Sequence, residues 1–316
     1  MDTAATDELA GRYLAELATQ RQLSPHTIAA YRRDLAELAA LSGHTDWPRL
    51  THFDIRRFAA KLHAEGQGPG SIARKLSGWR GFFDWLSRQA ALDANPVDGV
   101  RAPRRAKRLP KALAVDVAVQ LLEGKPGAGR GYGAEPFDLC NRAMFELLYS
   151  SGLRVSELAG LDLHYVAARD GAPASLGWLE ADGAEVVVTG KGSKMRRVPV
   201  GGPARAALAA WLAVRPPARD ASNALFLSER GTRVSPRVVQ SRLKVHAQKT
   251  GAPVHVHPHV LRHSFASHQL QSTRDLRAVQ ELLGHASITS TQIYTALDFQ
   301  HLAAVYDRTH PRAKVK

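Results

Sequence analysis

The 316-residue sequence is poor in the side chains that build disulfides, metal centres and membrane spans. It holds one cysteine, Cys140, and three methionines. A single thiol excludes an intrachain disulfide and a cysteine-built zinc module, and it fits a reducing compartment. No stretch approaches the roughly 18 apolar residues of a membrane span. The opening MDTAATDELA is acidic and lacks the apolar run of a signal peptide. TGKGSK lacks the upstream glycine of a phosphate-cradling P-loop. These absences lead to the expectation of a cytoplasmic protein that makes no use of a membrane. Acid is also scarce, with 29 Asp and Glu against 43 Lys and Arg, a net charge of +14. Such an excess favours a polyanion, either nucleic acid or an anionic membrane surface.

The first hundred residues have the periodicity of four short helices. Leu9, Tyr13 and Leu17 share one face, and Ile28, Tyr31, Leu35 and Leu38 form a second stripe that ends at Gly43. Ser24-Pro25 is a helix-start signal, and Thr51 with Asp54 has the spacing of a capping box before Ile55, Phe58 and Leu62. A fourth helix after Gly70 points Ile72, Leu76, Trp79, Phe83 and Leu86 inward. Residues 101–111 read RAPRRAKRLPK, with six cations, two prolines and no acid. This composition discourages packing and predicts a linker. Its cations Arg101, Arg104, Arg105, Lys107 and Arg108 are candidates for a strap along a phosphate backbone, read beside a plain solvated connection.

From residue 112 the pattern predicts a mainly α domain with one small antiparallel sheet. Helices are expected over 137–150, after Pro203, after Ser235 and from Pro258 onward. EVVVTGKGSKMRRVPV reads as two β-rich runs around a Gly-Lys-Gly turn. The glycine-rich stretches near 123–136 and 169–177 read as surface loops. Most of the charge excess falls in this part, with 28 cations and 17 acids over 107–316 against 15 and 12 over 1–106.

Six residues in four short stretches carry chemistry together. Arg154 lies in YSSGLRVSELAGL, Lys191 in the β-turn, His259 and Arg262 in HPHVLRHSFASH, and His285 and Tyr294 in ELLGHASITSTQIYT. Two guanidiniums can fork onto phosphate oxygens, a lysine can protonate a leaving oxygen, and a phenol can attack. The set needs neither metal nor nucleotide, so no cofactor is expected. His259 and Arg262, three apart at a helix start, face the same way. Lys194 competes with Lys191, which is preferred for its flanking glycines. Gly284 reads as a helix terminator before His285. Five histidines between His255 and His268 invite a metal reading, but Pro258 interrupts their alternation and HExxH is missing.

HPHVLRHSFASH and LLGHASITSTQIYT, with SPHTIAAYRRDL near the start and DFQHLAAVYD near the end, resemble the tyrosine recombinases. The likeness runs over nearly the whole chain and is greatest to the bacterial members that resolve chromosome dimers. It implies a four-helix, SAM-like core-binding domain over 1–100 and a catalytic domain over 112–316. The segment from about 300 to 316 would dock on a neighbouring subunit. It implies Tyr294 as the nucleophile forming a 3′-phosphotyrosyl bond. Arg154, Arg262 and His285 would bind the phosphate, Lys191 would protonate the 5′-oxygen, and His259 would donate a hydrogen bond or carry a proton. The implied partners are a double-stranded recombination site, a related recombinase in a heterotetramer, and a DNA translocase of the division septum. Tyr294 is followed by Thr-Ala where the family pattern expects Thr-His.

Three other readings stay open. A phage-type integrase usually carries an arm-binding domain ahead of the helical one, for which the helices starting near Met1 leave no room. A type IB topoisomerase would act without assembling on two sites. A DNA-binding regulator on a relic fold would lack some of the six side chains.

Overall fold

The computed structural model describes residues 3–43, 45–89, 92, 94–104, 112–123, 135–169, 173–190, 194–252 and 255–284. The chain divides into two compact units, Met1–Arg108 and Leu109–Lys316.

The first unit is four helices, α1 (Thr3–Thr19), α2 (Pro25–Ser42), α3 (His52–Ala64) and α4 (Pro69–Leu86). Their starts follow from local chemistry. The Ser24 hydroxyl accepts from the Thr27 N–H at 3.2 Å, ahead of Pro25. Thr51 Oγ1 accepts from the Asp54 N–H at 3.3 Å, while Asp54 Oδ2 accepts from the Thr51 N–H at 3.0 Å. Helices α1, α2 and α3 all pack on α4. That surrounds α4 and buries Phe82 and Trp85 as well as the expected stripe of Ile72, Leu76, Trp79, Phe83 and Leu86. Phe82 is the centre of the aromatic core, with ring centroids 4.8 Å from Trp47 and 5.4 Å from Tyr13. A Cβ on Gly81 would lie 2.7 Å from the Tyr13 hydroxyl, so α1 approaches α4 where no side chain stands.

Two ion pairs also join α2 to α4, Asp34 with Arg74 and Glu37 with Lys75. Asp34 is buried, and its Oδ1 has no hydrogen-bond partner. A cleft of about 480 Å³ in this unit is lined by His52, Arg56 and His63 of α3 together with Arg101. Arg104 is exposed, while Arg105, Lys107 and Arg108 lie outside the described residues.

The second unit is mainly α with a small antiparallel sheet. It comprises α5 (Val115–Glu123), α6 (Pro136–Ser150), α7 (Val155–Ala159), β1 (Gly177–Leu179), β2 (Glu185–Thr189), β3 (Met195–Pro199), α8 (Gly202–Val214), α9 (Pro236–Lys249), α10 (Pro258–Thr273) and α11 (Leu276–Leu283). Helix α6 is the core, with Cys140, Met144, Phe145, Leu147 and Leu148 buried against the surrounding helices. Burial pushes the Cys140 thiol up to about 11, which leaves it an inert core group.

The sheet runs in the order β1-β2-β3, with Gly177 opposite Val188 and Val188 opposite Arg196. Strand β1 corrects the sequence reading, which treated the stretch ending at Gly177 as loop. Three residues carry no periodicity. The strand forms because Asp162 N–H donates to Gly177 O at 2.9 Å and Leu179 N–H to Asp162 O at 3.0 Å. A Cβ at Gly177 would meet the Val187 carbonyl at 2.9 Å, so the glycine admits the neighbouring strand.

Just past the basic stretch, both backbone groups of Leu113 are engaged by α10. Its N–H donates to Ser264 Oγ at 2.9 Å, and its carbonyl is 2.9 Å from His268 Nε2. A carbonyl only accepts, so Nε2 donates, and Nδ1 accepts from the Tyr149 hydroxyl at 2.8 Å. Burial holds the His268 pKa below its ordinary value, in keeping with a neutral ring.

Candidate active site

The turn from α6 into α7 sets the site. Gly152 has φ +56°, and a Cβ there would lie 2.3 Å from Phe265 Cδ1 of α10. Only glycine lets this turn sit on α10 in the left-handed conformation. Arg154 follows as the N-cap residue of α7, and Glu157 Oε2 accepts from its backbone N–H at 2.8 Å.

Glu157 gathers three arginines from three elements. Arg154 Nη1 donates to Oε1 at 2.6 Å. From β3, Arg196 forks onto both oxygens, Nη1 to Oε1 at 3.0 Å and Nη2 to Oε2 at 2.8 Å. From α10, Arg262 Nη1 stands 3.9 Å from Oε2. Burial pushes the Glu157 carboxyl up. The hydrogen bonds from Arg196 and from the Arg154 backbone, with the two guanidinium charges, outweigh it and hold the group below the ordinary glutamate range. Three cations around one carboxylate leave the cluster positive, a setting for a further anion.

The same arginines close on the end of α11. Asp275 starts this helix by accepting from the Arg277 and Ala278 N–H groups, and Gly284, with φ +62°, stops it. Arg196 Nε donates to Leu282 O at 2.9 Å, Arg262 Nη2 to Leu283 O at 2.6 Å, and Arg154 Nη2 to Gly284 O at 3.3 Å. Three successive carbonyls at the negative end of a helix thus meet three guanidiniums. Arg262 Nη1 also donates to Gly152 O at 2.5 Å, tying α10 to the turn before Arg154.

Of the six residues picked from sequence, Arg154 and Arg262 come together here. His259 is exposed in the first turn of α10, one turn before Arg262, with its ring 6.1 Å from that of His257. Burial first, then the neighbouring His259 and His255, lowers the His257 pKa. Lys191, His285 and Tyr294 lie outside the described residues. Gly284, which directly precedes His285, and Gly190 and Lys194, which flank the Lys191 turn, are described. Gly190 N–H donates to Lys194 O at 2.8 Å and closes that hairpin. No group of three or more His, Cys, Asp or Glu able to hold a metal occurs among the described residues.

Sequence reasoning missed Glu157 and Arg196. Both had a signal. Glu157 stands three after Arg154, at the N3 position where a glutamate returns to the N-cap backbone. Arg196 shares strand parity with Val198, which is fully buried on β3.

The Phage integrase family model matches residues 113–301, and the model of the family's N-terminal SAM-like domain matches residues 10–90. The chain belongs to the phage integrase family. It is a site-specific DNA recombinase that uses a tyrosine. The recombinase is 55% identical over 317 residues to tyrosine recombinase XerC 1 of Ralstonia nicotianae, which covers 97% of this chain and 94% of that protein. It is 47% identical over 309 residues to tyrosine recombinase XerC of Pseudomonas aeruginosa, covering 96% of this chain and 95% of that one. Its fold is that of XerH recombinase bound to a palindromic difH substrate, at TM-score 0.66 and 19% identity over 94% of this chain and 84% of that one. It is equally that of a lambda integrase tetramer bound to a Holliday junction, at TM-score 0.68 and 17% identity over 91% and 76%. Among the described residues, no helix is long and apolar enough to cross a membrane.

Proposed function

We propose that the recombinase cuts and rejoins DNA through Tyr294. The tyrosine oxygen attacks the scissile phosphorus, the P–O5′ bond breaks, and a 3′-phosphotyrosyl bond forms with a free 5′-hydroxyl. Arg154 and Arg262 hold the non-bridging oxygens and offset the charge that grows on them in the transition state. His285 adds a contact to the phosphate. His259 takes part as hydrogen-bond donor or proton carrier for the tyrosine, and Lys191 delivers the proton to O5′. The phosphotyrosine keeps the energy of the broken ester, so the reverse attack by a 5′-hydroxyl reseals the strand.

The observation that carries this reading is the convergence of Arg154 and Arg262 on one positive cluster beside the chain that leads into His285. Arg154 is the more accessible, with its side chain 31% exposed against 6% for Arg262. In the first unit, the basic cleft with Arg56 and Arg101 and the cations Arg104, Arg105, Lys107 and Arg108 supply sequence-independent grip on the backbone.

The similarity to XerC proteins supports a place in resolving chromosome dimers during cell division, in the cytoplasm. There the protein works with a XerD-like recombinase in a heterotetramer, under a DNA translocase of the septum. The segment 300–316 docks on the neighbouring subunit. Incubation with a nicked half-site substrate tests the chemistry. The wild type traps a covalent adduct and Tyr294→Phe does not; an adduct with the variant sinks the assignment. Footprinting with and without the partner on the organism's own site tests the assembly. Cooperative protection is expected, and equal binding across random sequences overturns it.

A further inference from the structure

We propose that Arg196 is a positioning residue for strand cleavage, acting by fixing the charge and orientation of Glu157 and by seating the end of α11. This rests on the reading of Arg154 and Arg262 as phosphate-holding groups. Around Glu157, Arg196 forks its guanidinium onto both carboxylate oxygens, whereas Arg154 reaches them through its backbone N–H and one Nη. The third donor of Arg196, Nε, goes to the Leu282 carbonyl. One planar guanidinium therefore joins three pieces of the unit: β3, the start of α7 and the end of α11. Its side chain is 12% exposed, against 31% for Arg154.

The fork matters because of what Glu157 holds. The same two oxygens take the backbone and side chain of Arg154 and face Arg262 at 3.9 Å. A buried carboxylate stays ionised only while its hydrogen bonds offset the loss of water. Arg196 provides two of them. Without it, Glu157 is left with Arg154 from the N-cap of α7 and the Arg262 charge from α10. Burial then drives its pKa upward, and a protonated Glu157 no longer orders the two phosphate-holding arginines.

The side chain at 196 must also be an arginine. A lysine keeps the charge but cannot span both carboxylate oxygens and a carbonyl at once. Gly284 leaves the room for it, since a Cβ there would stand 3.1 Å from Arg196 Nη1.

The test compares Arg196→Gln and Arg196→Lys with the wild type in single-turnover cleavage of a nicked half-site DNA, beside binding of the same DNA. Half-site binding shows that each variant is folded. Both variants are expected to bind within about threefold of wild type and to cleave about 10- to 100-fold more slowly, the scale of a misplaced reacting geometry. The rate deficit of Arg196→Gln widens as pH falls from 8 towards 6, because Glu157 protonates. Arg196→Lys keeps the wild-type pH profile while losing rate, and Glu157→Gln shows a deficit that does not vary with pH. Wild-type cleavage by either variant, or a deficit in Arg196→Gln that runs parallel to the wild type at every pH, overturns the proposal. Tyr294→Phe in the same series keeps the two questions apart. An adduct from that variant removes the underlying assignment, whereas an inactive Tyr294→Phe beside a fully active Arg196→Lys removes the role of Arg196 alone.

Discussion

Both units bury a carboxylate beside arginine, and the two groups respond in opposite ways. Asp34 in the first unit is 1% exposed and Glu157 in the second 9%. Burial pushes both pKa values up, and in Asp34 it wins over the hydrogen bond and charge of Arg74. One Asp34 oxygen is left without a partner, and Arg74 itself is 44% exposed. In Glu157 both oxygens accept from two donors each, and the pKa falls. The number of donors on the carboxylate, more than the depth of burial, decides the sign. Asp34 belongs to an arrangement that helps join two helices. Glu157 organises cations from three elements.

Three sets of variants test this contrast. Glu157→Ala should have the largest effect, since it leaves three guanidiniums facing one another around a hole. We expect a loss of about 3–5 kcal/mol in chemical denaturation, as for a buried pair that loses one partner. Cleavage of the nicked substrate should fall by at least about 100-fold. A loss under about 1 kcal/mol would mean that solvent screens the cluster as it screens a surface pair.

Gly152→Ala comes next, because it combines a left-handed φ with a clash against the Phe265 ring. The expected cost is about 2–4 kcal/mol. Gly81→Ala, which meets only the tip of Tyr13 from ordinary helical backbone, should cost less than about 1 kcal/mol. Melting of the two variants side by side checks the order. A reversal would show that the seat of α7 on α10 is the softer of the two contacts.

The smallest effect concerns pH. The Glu157 pKa is lowered on folding, so its stabilisation is complete above the ordinary glutamate value of 4.5 and is lost as pH falls through the folded value. The Asp34 pKa is raised, so its contribution is present below the ordinary aspartate value of 3.8 and is lost as pH rises through the folded value. Glu157→Gln should therefore flatten the acid side of a stability profile. Asp34→Asn should leave stability at neutral pH within about 1 kcal/mol, because Arg74 keeps its water. A clear destabilisation by Asp34→Asn would show that its ion pair with Arg74 outweighs burial.

Local signals were the legible part of this molecule. Ser24, Thr51 with Asp54, Ser235, Pro258 and Gly284 each mark a helix end by chemistry contained within four residues, and the helices begin or end there. The apolar stripes of α1 to α3 were equally plain. What the sequence hid depends on distant partners. Phe82 and Trp85 turn inward because three helices surround α4. Strand β1 exists because Asp162 and β2 take up its backbone groups. Arg154 and Arg262 were chosen for their residue type and motif, but nothing near them in sequence announces the carboxylate they share. Arg196 looked like one more cation in a basic hairpin until its strand parity was set against Val198.

The hold of α10 on Leu113 has a consequence for how the protein behaves in salt. The hydrogen bonds through Ser264, His268 and Tyr149 join neutral groups, and the His268 ring is kept uncharged. Contacts between cations and a phosphate backbone weaken steeply as ions are added. Neutral hydrogen bonds are not screened in that way. A salt wash that releases bound DNA therefore leaves Leu113 fastened to the helix that carries His259 and Arg262. Grip on the ligand can be released and regained while this join inside the second unit stays shut.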